Sequence, residues 1–330
     1  MRRKKNENEI IENLINRYAV SHPALKKGIG DDAAVWCPAG AREFCSVTTD
    51  MLVEEIDFRR EWTTPRELGH KSIAVNLSDL GAMGARPRFF TVSLGLPANV
   101  TNRWIQDFYD GLTLCGREHG AVLVGGDLSG ADKITISITA FGESENRKVL
   151  YRSGGRPGDL LYVTGTLGRS AAGLRLLQQG TIRSRSVGRR EALRAHRMPE
   201  PRCAIGLWLT QNGIARCMMD ISDGLSSDLP RMCAASGTDA EIFAEKIPVF
   251  AEAGLWGCDP LEIALSGGED YELLFAVPSA KKRLIKNLPP DFPPVTHIGN
   301  MLEGSGRVWI SDAEGSRRPL PARGFDHFNV

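Results

Sequence analysis

Ile10, Ile11, Leu14, Ile15 and Tyr18 recur at intervals of three and four, so the chain opens with an amphipathic helix. That helix runs into a glycine-rich stretch, Gly28-Ile-Gly-Asp-Asp-Ala-Ala-Val35. Phe44 to Thr49 reads as a strand ending at Asp50. Thr64-Pro65-Arg66-Glu67 joins a capping box to a proline at the first helical position, and predicts a helix through Ala74, Leu77 and Leu80 that stops near Gly81 and Gly84. Asn76 and Asp79 share one face of it. Phe90, Val92, Leu94 and Leu96 alternate with Thr91, Ser93 and Gly95 in a half-buried strand. A helix follows from about Asn102 to Gly120. Ala121 to Val124 then reads as a short buried strand leading into Gly125-Gly126-Asp127, with Ile134, Ile136 and Ile138 alternating in its neighbour.

Breakers cluster at Gly154-Gly155-Arg156-Pro157-Gly158, which sets a domain boundary there and divides the chain into 1–150 and 151–330. The second half starts with strand Leu160 to Val163. Helices are expected over Ser170 to Gln179, near Arg202 to Gln211 and over Leu225 to Ala235, and a strand over Tyr271 to Val277. Strands crossed by helices without strict alternation make the fold α+β.

Composition narrows the function. The 41 Lys and Arg nearly cancel the 40 Asp and Glu, so no global field recruits nucleic acid or an anionic membrane. The arginine-rich run from Arg183 to Arg197 lacks interleaved aromatics and reads as a solvated loop and helix face. No stretch has the length of a membrane span, and the basic Met1-Arg-Arg-Lys-Lys5 has no apolar run behind it. The seven cysteines are scattered and never spaced C-x-x-C, as expected of a cytoplasmic protein with buried thiols.

The candidate chemistry is carboxylate. Asp31-Asp32, Asp50, Asp79 and Asp127 in the first half and Asp220-x-x-Asp223 in the second all stand at strand or helix ends, mostly beside glycine. Any one alone reads equally well as a turn former. Together they repel one another unless cations sit among them, and hard oxygen donors without histidine or cysteine point to magnesium. Several magnesium ions imply a polyphosphate. There is no P-loop and no protein-kinase motif, so a nucleotide would be held through metal bridges and turn amides, with Arg152 adding charge. Gly28-x-Gly30-x-x-Ala33 fits a relaxed dinucleotide fingerprint, but Pro23 spoils the strand before it and Pro38 the helix after it. Neither a nucleophile elbow nor a histidine cluster is present.

Gly28-Ile-Gly-Asp-Asp-Ala33, Thr48-Thr-Asp50, Val75-Asn-Leu-Ser-Asp-Leu80 with Met83-Gly-Ala85, Gly125-Gly-Asp127, Arg152-Ser-Gly154, Ser222-Asp-Gly-Leu225, Ser266-Gly-Gly-Glu-Asp-Tyr-Glu-Leu273 and Gly324-Phe-Asp-His-Phe328 occur in this order over essentially the whole chain. In this the chain resembles the thiamine-monophosphate kinase family of the aminoimidazole-ribonucleotide-synthetase-like superfamily. The resemblance implies two domains: an N-terminal one with a mixed or antiparallel sheet and helices on one face, and a C-terminal α/β one. It implies a homodimer joined through the first domains' sheets, and transfer of the ATP γ-phosphoryl group to thiamine monophosphate. Magnesium would be bound by Asp32, Thr48, Thr49, Asp50, Asp79, Asp127, Asp220 and Asp223, and ATP by Gly126, Asp127, Arg152 and Ser222. Glu269 and Phe325 would touch the substrate, Phe325 by stacking. No general base is expected, because a phosphate-monoester acceptor is already ionised near neutral pH.

Two positions depart from the family pattern. Asp57 stands where the family usually has a substrate-contacting histidine, and Leu128 where Gly-Gly-Asp is commonly followed by threonine. Asp57 suits a cationic thiazolium but repels a phosphate, which leaves open a related phosphotransferase with another acceptor or a nucleotide-binding protein without turnover.

Overall fold

The computed structural model describes residues 7–321, 323 and 324. The first domain contains α1 (Glu7–Tyr18), β1 (Leu25–Lys27), β2 (Ala34–Trp36), β3 (Cys45–Val53), α2 (Pro65–Ala82), β4 (Arg86–Leu96), α3 (Asn102–Glu118), β5 (Val122–Gly130) and β6 (Thr135–Glu143). Its six strands lie in the order β1-β2-β3-β6-β4-β5, antiparallel except for β4 against β5. The cap of α2 is as expected: Thr64 Oγ1 accepts from the Glu67 N–H, and the Glu67 carboxylate accepts from the Thr64 N–H.

Alternation decides the two faces of this sheet. Ser46, Thr48 and Leu52 of β3, Ile136 and Ile138 of β6, and Phe90, Val92 and Leu94 of β4 are buried under α2 and α3. Gly69 and Gly111 let those helices touch, since a Cβ on Gly69 would collide with the Phe108 carbonyl oxygen and one on Gly111 with that of Arg66. No described element covers the opposite face, which carries Thr49, Met51, Thr91, Ser93 and Thr139.

Two expectations fail here. β3 does not end at Asp50 but runs on to Val53, because β6 pairs with it throughout. The run Ala121 to Val124 does not form a short buried strand; β5 continues to Gly130 along the sheet edge and leaves Val122, Val124 and Leu128 more than half exposed. An apolar run reads the same whether one chain buries it or leaves it at an edge.

The second domain contains β7 (Leu160–Thr164), α4 (Arg169–Gln178), α5 (Val187–Arg197), α6 (Cys203–Gln211), β8 (Cys217–Ile221), α7 (Leu225–Ser236), β9 (Thr238–Phe243), α8 (Pro260–Ser266), β10 (Glu272–Val277), β11 (Val295–Glu303), β12 (Val308–Ser311) and β13 (Arg317–Pro319). Its seven strands lie in the order β13-β12-β9-β11-β7-β10-β8, with β12 parallel to β9 and the other pairs antiparallel. Leu161, Val163, Met219, Ile221, Leu274 and Ala276 form its core with Leu225 and Leu229 of α7. The arginine-rich run forms the helix α5 with its preceding loop; Ala192, Leu193 and His196 face inward, and Arg190 and Arg194 face solvent. Among the described residues no helix is long and apolar enough to cross a membrane. The domains meet where α2 packs on α6 and β8; the Cys203 backbone lies against Gly81, and Gly206 against the Gly81 carbonyl.

Candidate active site

The Gly28 turn divides the work of its two aspartates. Asp31 holds the turn: its Oδ1 accepts from the N–H groups of Arg152 (3.1 Å) and Asp32 (3.2 Å), and Lys27 Nζ lies 3.0 Å from its Oδ2. Asp32 points inward, where its Oδ1 accepts from Arg152 Nε (2.8 Å) and Nη2 (2.5 Å). Its Oδ2 is buried with no hydrogen-bond partner among the described residues.

Three elements bring carboxylates to meet Asp32. On the helix-facing side of β3, Thr48 Oγ1 donates to Asp79 Oδ2 (2.5 Å) and the Asp50 N–H donates to Asn76 Oδ1 (3.1 Å), so the Asn76 and Asp79 face of α2 lies against the strand. From the second domain, β8 delivers Asp220, whose Oδ2 accepts from Ser78 Oγ at 2.6 Å. Asp32, Asp79 and Asp220 each offer an oxygen within 4.8 Å of the others. An oxygen-only set with one unpartnered carboxylate atom fits a hard divalent cation.

Electrostatics agrees with that geometry. Burial, outweighing the attraction of Arg152, raises Asp32 to about 7, with Asp220 adding repulsion. Burial and then Asp57 raise Asp50 to about 6. Asp79 is driven well above the usual carboxylate range by burial and by Asp50, Asp220 and Asp32. Asp220 is raised to about 6, chiefly by burial, although Ser78 and Arg152 pull it down. These groups are expensive to ionise together without a cation.

Asp223 follows on the turn after β8. Arg231 Nη1 lies 2.5 Å from Asp223 Oδ2 and 2.9 Å from Asp228 Oδ1. Asp228 Oδ2 accepts from the N–H groups of Asp223 and Gly224, both at 3.1 Å, and so shapes the Ser222-Asp-Gly turn. Burial, with Asp223 beside it, raises Asp228 to about 8. The sequence reading missed Asp228, Arg231 and Ser78, while the Asn76 and Asp79 face was expected; an acid in the first turn of α7 was the available signal for Asp228.

Other expected residues fall elsewhere. Thr49 Oγ1 donates to the Ile138 carbonyl on the uncovered face. Asp57 Oδ2 accepts from the Val53 N–H (2.7 Å) and tightens the turn after β3. The Ser222 carbonyl accepts from the Glu269 N–H (2.7 Å), and Glu269 pairs with Lys71 and His196. Phe325 lies outside the described residues.

Gly126 and Asp127 stand apart from the cluster within one chain. The register runs Asp50–Ile138–Val92–Gly126 and Met51–Ser137–Ser93–Asp127, which puts β5 three strand spacings from β3, about 14 Å. Tyr109, Leu123, Gly125, Gly126, Asp127 and Leu128 line an open depression at that edge. A Cβ on Gly126 would collide with the Val92 carbonyl oxygen, so the close pairing there needs glycine.

Residues 30–144 match the family model of the AIR synthase related protein N-terminal domain, and residues 156–310 that of the C-terminal domain. The chain is 33% identical over 326 residues to a thiamine-monophosphate kinase of Bacillus subtilis, covering 98% of this chain and 99% of the relative. It is 36% identical over 328 residues to that of Escherichia coli, with 98% of each covered. Among solved structures, AaThiL complexed with AMPPCP and TMP superimposes with a TM-score of 0.86 at 32% identity, over 98% of this chain and 97% of that one. The hydrogenase maturation protein HypE of Escherichia coli shares the fold, at a TM-score of 0.67 and 21% identity over 96% of this chain and 98% of that one. With both domains matched and full-length relatives above 30% identity, the chain belongs to the thiamine-monophosphate kinase family of AIR-synthase-related proteins.

Proposed function

We propose that the protein transfers the γ-phosphoryl group of ATP to the phosphate of thiamine monophosphate, giving thiamine diphosphate, by direct in-line displacement. The observation that carries this reading is the convergence of Asp32, Asp79 and Asp220 from both domains, with their oxygens within 4.8 Å of one another. Magnesium ions held there by these residues, with Thr48, Asp50 and Asp223, would neutralise the two anions that must approach. Arg152, paired with Asp32, stands ready for a nucleotide phosphate. The acceptor is already ionised, so the chain's work is positioning, and no residue is assigned as a general base.

The reading includes a cytoplasmic homodimer, with the domain boundary near residue 150. The half-exposed Val122, Val124 and Leu128 on an open edge, next to an uncovered sheet face, invite pairing with a second copy. In such a dimer Gly126 and Asp127 of one copy complete the carboxylate cluster of the other, with Tyr109 beside the nucleotide.

The test is product analysis after incubating the protein with ATP, magnesium and thiamine monophosphate. Thiamine diphosphate is expected, and its absence with Asp127→Asn. Mixing Asp127→Asn with Asp79→Asn, each inactive alone, should restore about a quarter of the activity, because half of the reassorted dimers carry one intact shared site. Failure to complement would remove the shared site. No product, with ATP binding retained, would favour a different acceptor, as Asp57 allows, or a non-catalytic nucleotide binder.

A further inference from the structure

Ser78 and Lys71 of α2 both reach into the second domain. Ser78 Oγ bonds Asp220, and Lys71 Nζ lies 2.6 Å from Glu269 Oε1. They stand seven positions apart, two helical turns on one face, so the carboxylate cluster and Glu269 lie about 10 Å apart along the helix. Lys71 is only 3% exposed. A lysine is almost never buried so deeply without a charge partner, and Glu269 is the carboxylate that faces it.

The second oxygen of Glu269 is held as well. His196 Nδ1, on α5, lies 3.1 Å from Oε2, and Ser170 Oγ at the start of α4 lies 3.1 Å from the same nitrogen. With a carboxylate in front of it, Nδ1 carries the proton and donates. The backbone is held in place too. Glu269 has φ +66° and Tyr271 φ +50°, two non-glycine residues in the left-handed region within three positions. Between them Asp270 accepts from the N–H groups of Gly168 (2.6 Å) and Ser170 (3.1 Å), pinning the loop to the start of α4.

A buried ammonium, a buried imidazole and a strained loop are thus all directed at one carboxylate, of which 28% remains accessible at the seam between the domains. A plain interdomain tie would not need an exposed remainder. Next to it, Phe58, Trp62, Lys71 and His196 line a small cavity, with the Arg59 guanidinium stacked 4.6 Å from the Trp62 ring. We propose that Lys71 and His196 are positioning residues that fix Glu269 as a hydrogen-bond acceptor for an amino-bearing heterocycle at the far end of the acceptor, with α2 setting its separation from the phosphate. The proposal rests on the reading of the acceptor as thiamine monophosphate, whose aminopyrimidine carries such a donor.

The test is steady-state kinetics at saturating ATP with thiamine monophosphate and with its 4-oxo analogue, in which a carbonyl replaces the amino group. The wild-type protein is expected to discriminate against the analogue at least tenfold in kcat/KM. Lys71→Met should raise the KM for thiamine monophosphate about tenfold, leave the KM for ATP unchanged and lose most of the discrimination; Lys71→Arg should restore it. His196→Gln provides the same reading if Lys71→Met does not fold. Discrimination surviving in both variants, or a loss confined to kcat or shared equally with the KM for ATP, overturns the positioning role. An absence of thiamine diphosphate from the wild-type protein would instead sink the activity itself, so the two failures are distinguishable.

Discussion

Removing the divalent cation should make the protein's stability fall as pH rises, the reverse of what paired surface carboxylates do. Asp32 titrates at about 7 in the folded chain against 3.8 as the ordinary value. A carboxyl raised by folding stabilises the native state fully below its unfolded value, and that contribution is lost as pH climbs through the folded one. For Asp32 the window is pH 4 to 7, and at ~1.4 kcal/mol per pH unit the loss is ~4 kcal/mol. Asp50 and Asp220, each at about 6, act in the same direction within pH 4 to 6. With an unfolding entropy of ~2 cal/mol/K per residue, a chain of this length loses ~6 °C in Tm for ~4 kcal/mol. The assay is differential scanning calorimetry of the metal-free protein at pH 5.5 and 8, an interval that holds ~2 kcal/mol of the Asp32 loss, or ~3 °C. Magnesium at a hundred times its Kd should return ~2.7 kcal/mol, or ~4 °C, at pH 8 and less at pH 5.5, where protons compete. Asp79→Asn should raise the metal-free Tm at pH 8 and abolish the magnesium increment, because it removes one repelling charge and one ligand while leaving an acceptor for Thr48. A metal-free Tm that is flat or rising between pH 5.5 and 8, or a magnesium increment retained by Asp79→Asn, would refute the reasoning.

Further outcomes can be checked separately. Ser78→Ala strips Asp220 of its bond across the domain seam and should lower stability by about 1–2 kcal/mol in a urea titration. Gly126→Ala should abolish product formation while circular dichroism keeps the native spectrum, because the collision with the Val92 carbonyl shifts only the edge strand. Val124→Lys, on the same edge, should convert a dimer into monomers in sedimentation velocity, and an unchanged oligomeric state would remove that edge from the interface. Asp57→His places the usual family residue and should hold or improve the KM for thiamine monophosphate, while loss of the bond to the Val53 N–H costs about 1 kcal/mol in stability. A clear loss of activity there would show that Asp57 serves another acceptor.

Much of this molecule is legible along the chain because the cues are local. The Thr64 to Glu67 box starts α2, the alternation of Phe90, Val92 and Leu94 gives β4 its buried face, and a glycine turn with two adjacent acids marks Asp31 and Asp32 together as ligand candidates. Such cues depend on neighbours a few residues away and survive without a fold. What only the tertiary structure decided is long-range. Apart from the family resemblance, the local pattern does not distinguish Asp31 from Asp32, yet one is tied to Lys27 and the turn while the other enters the cluster. Ser78, Lys71 and Arg231 carry no local sign of their roles, and Asp228 only its place in the first turn of α7, since each acts on a residue brought near by a helix, a turn or the domain seam. The edge position of β5 was equally hidden: an apolar run shows that a strand wants burial, and only the order of the strands shows that one chain leaves it exposed.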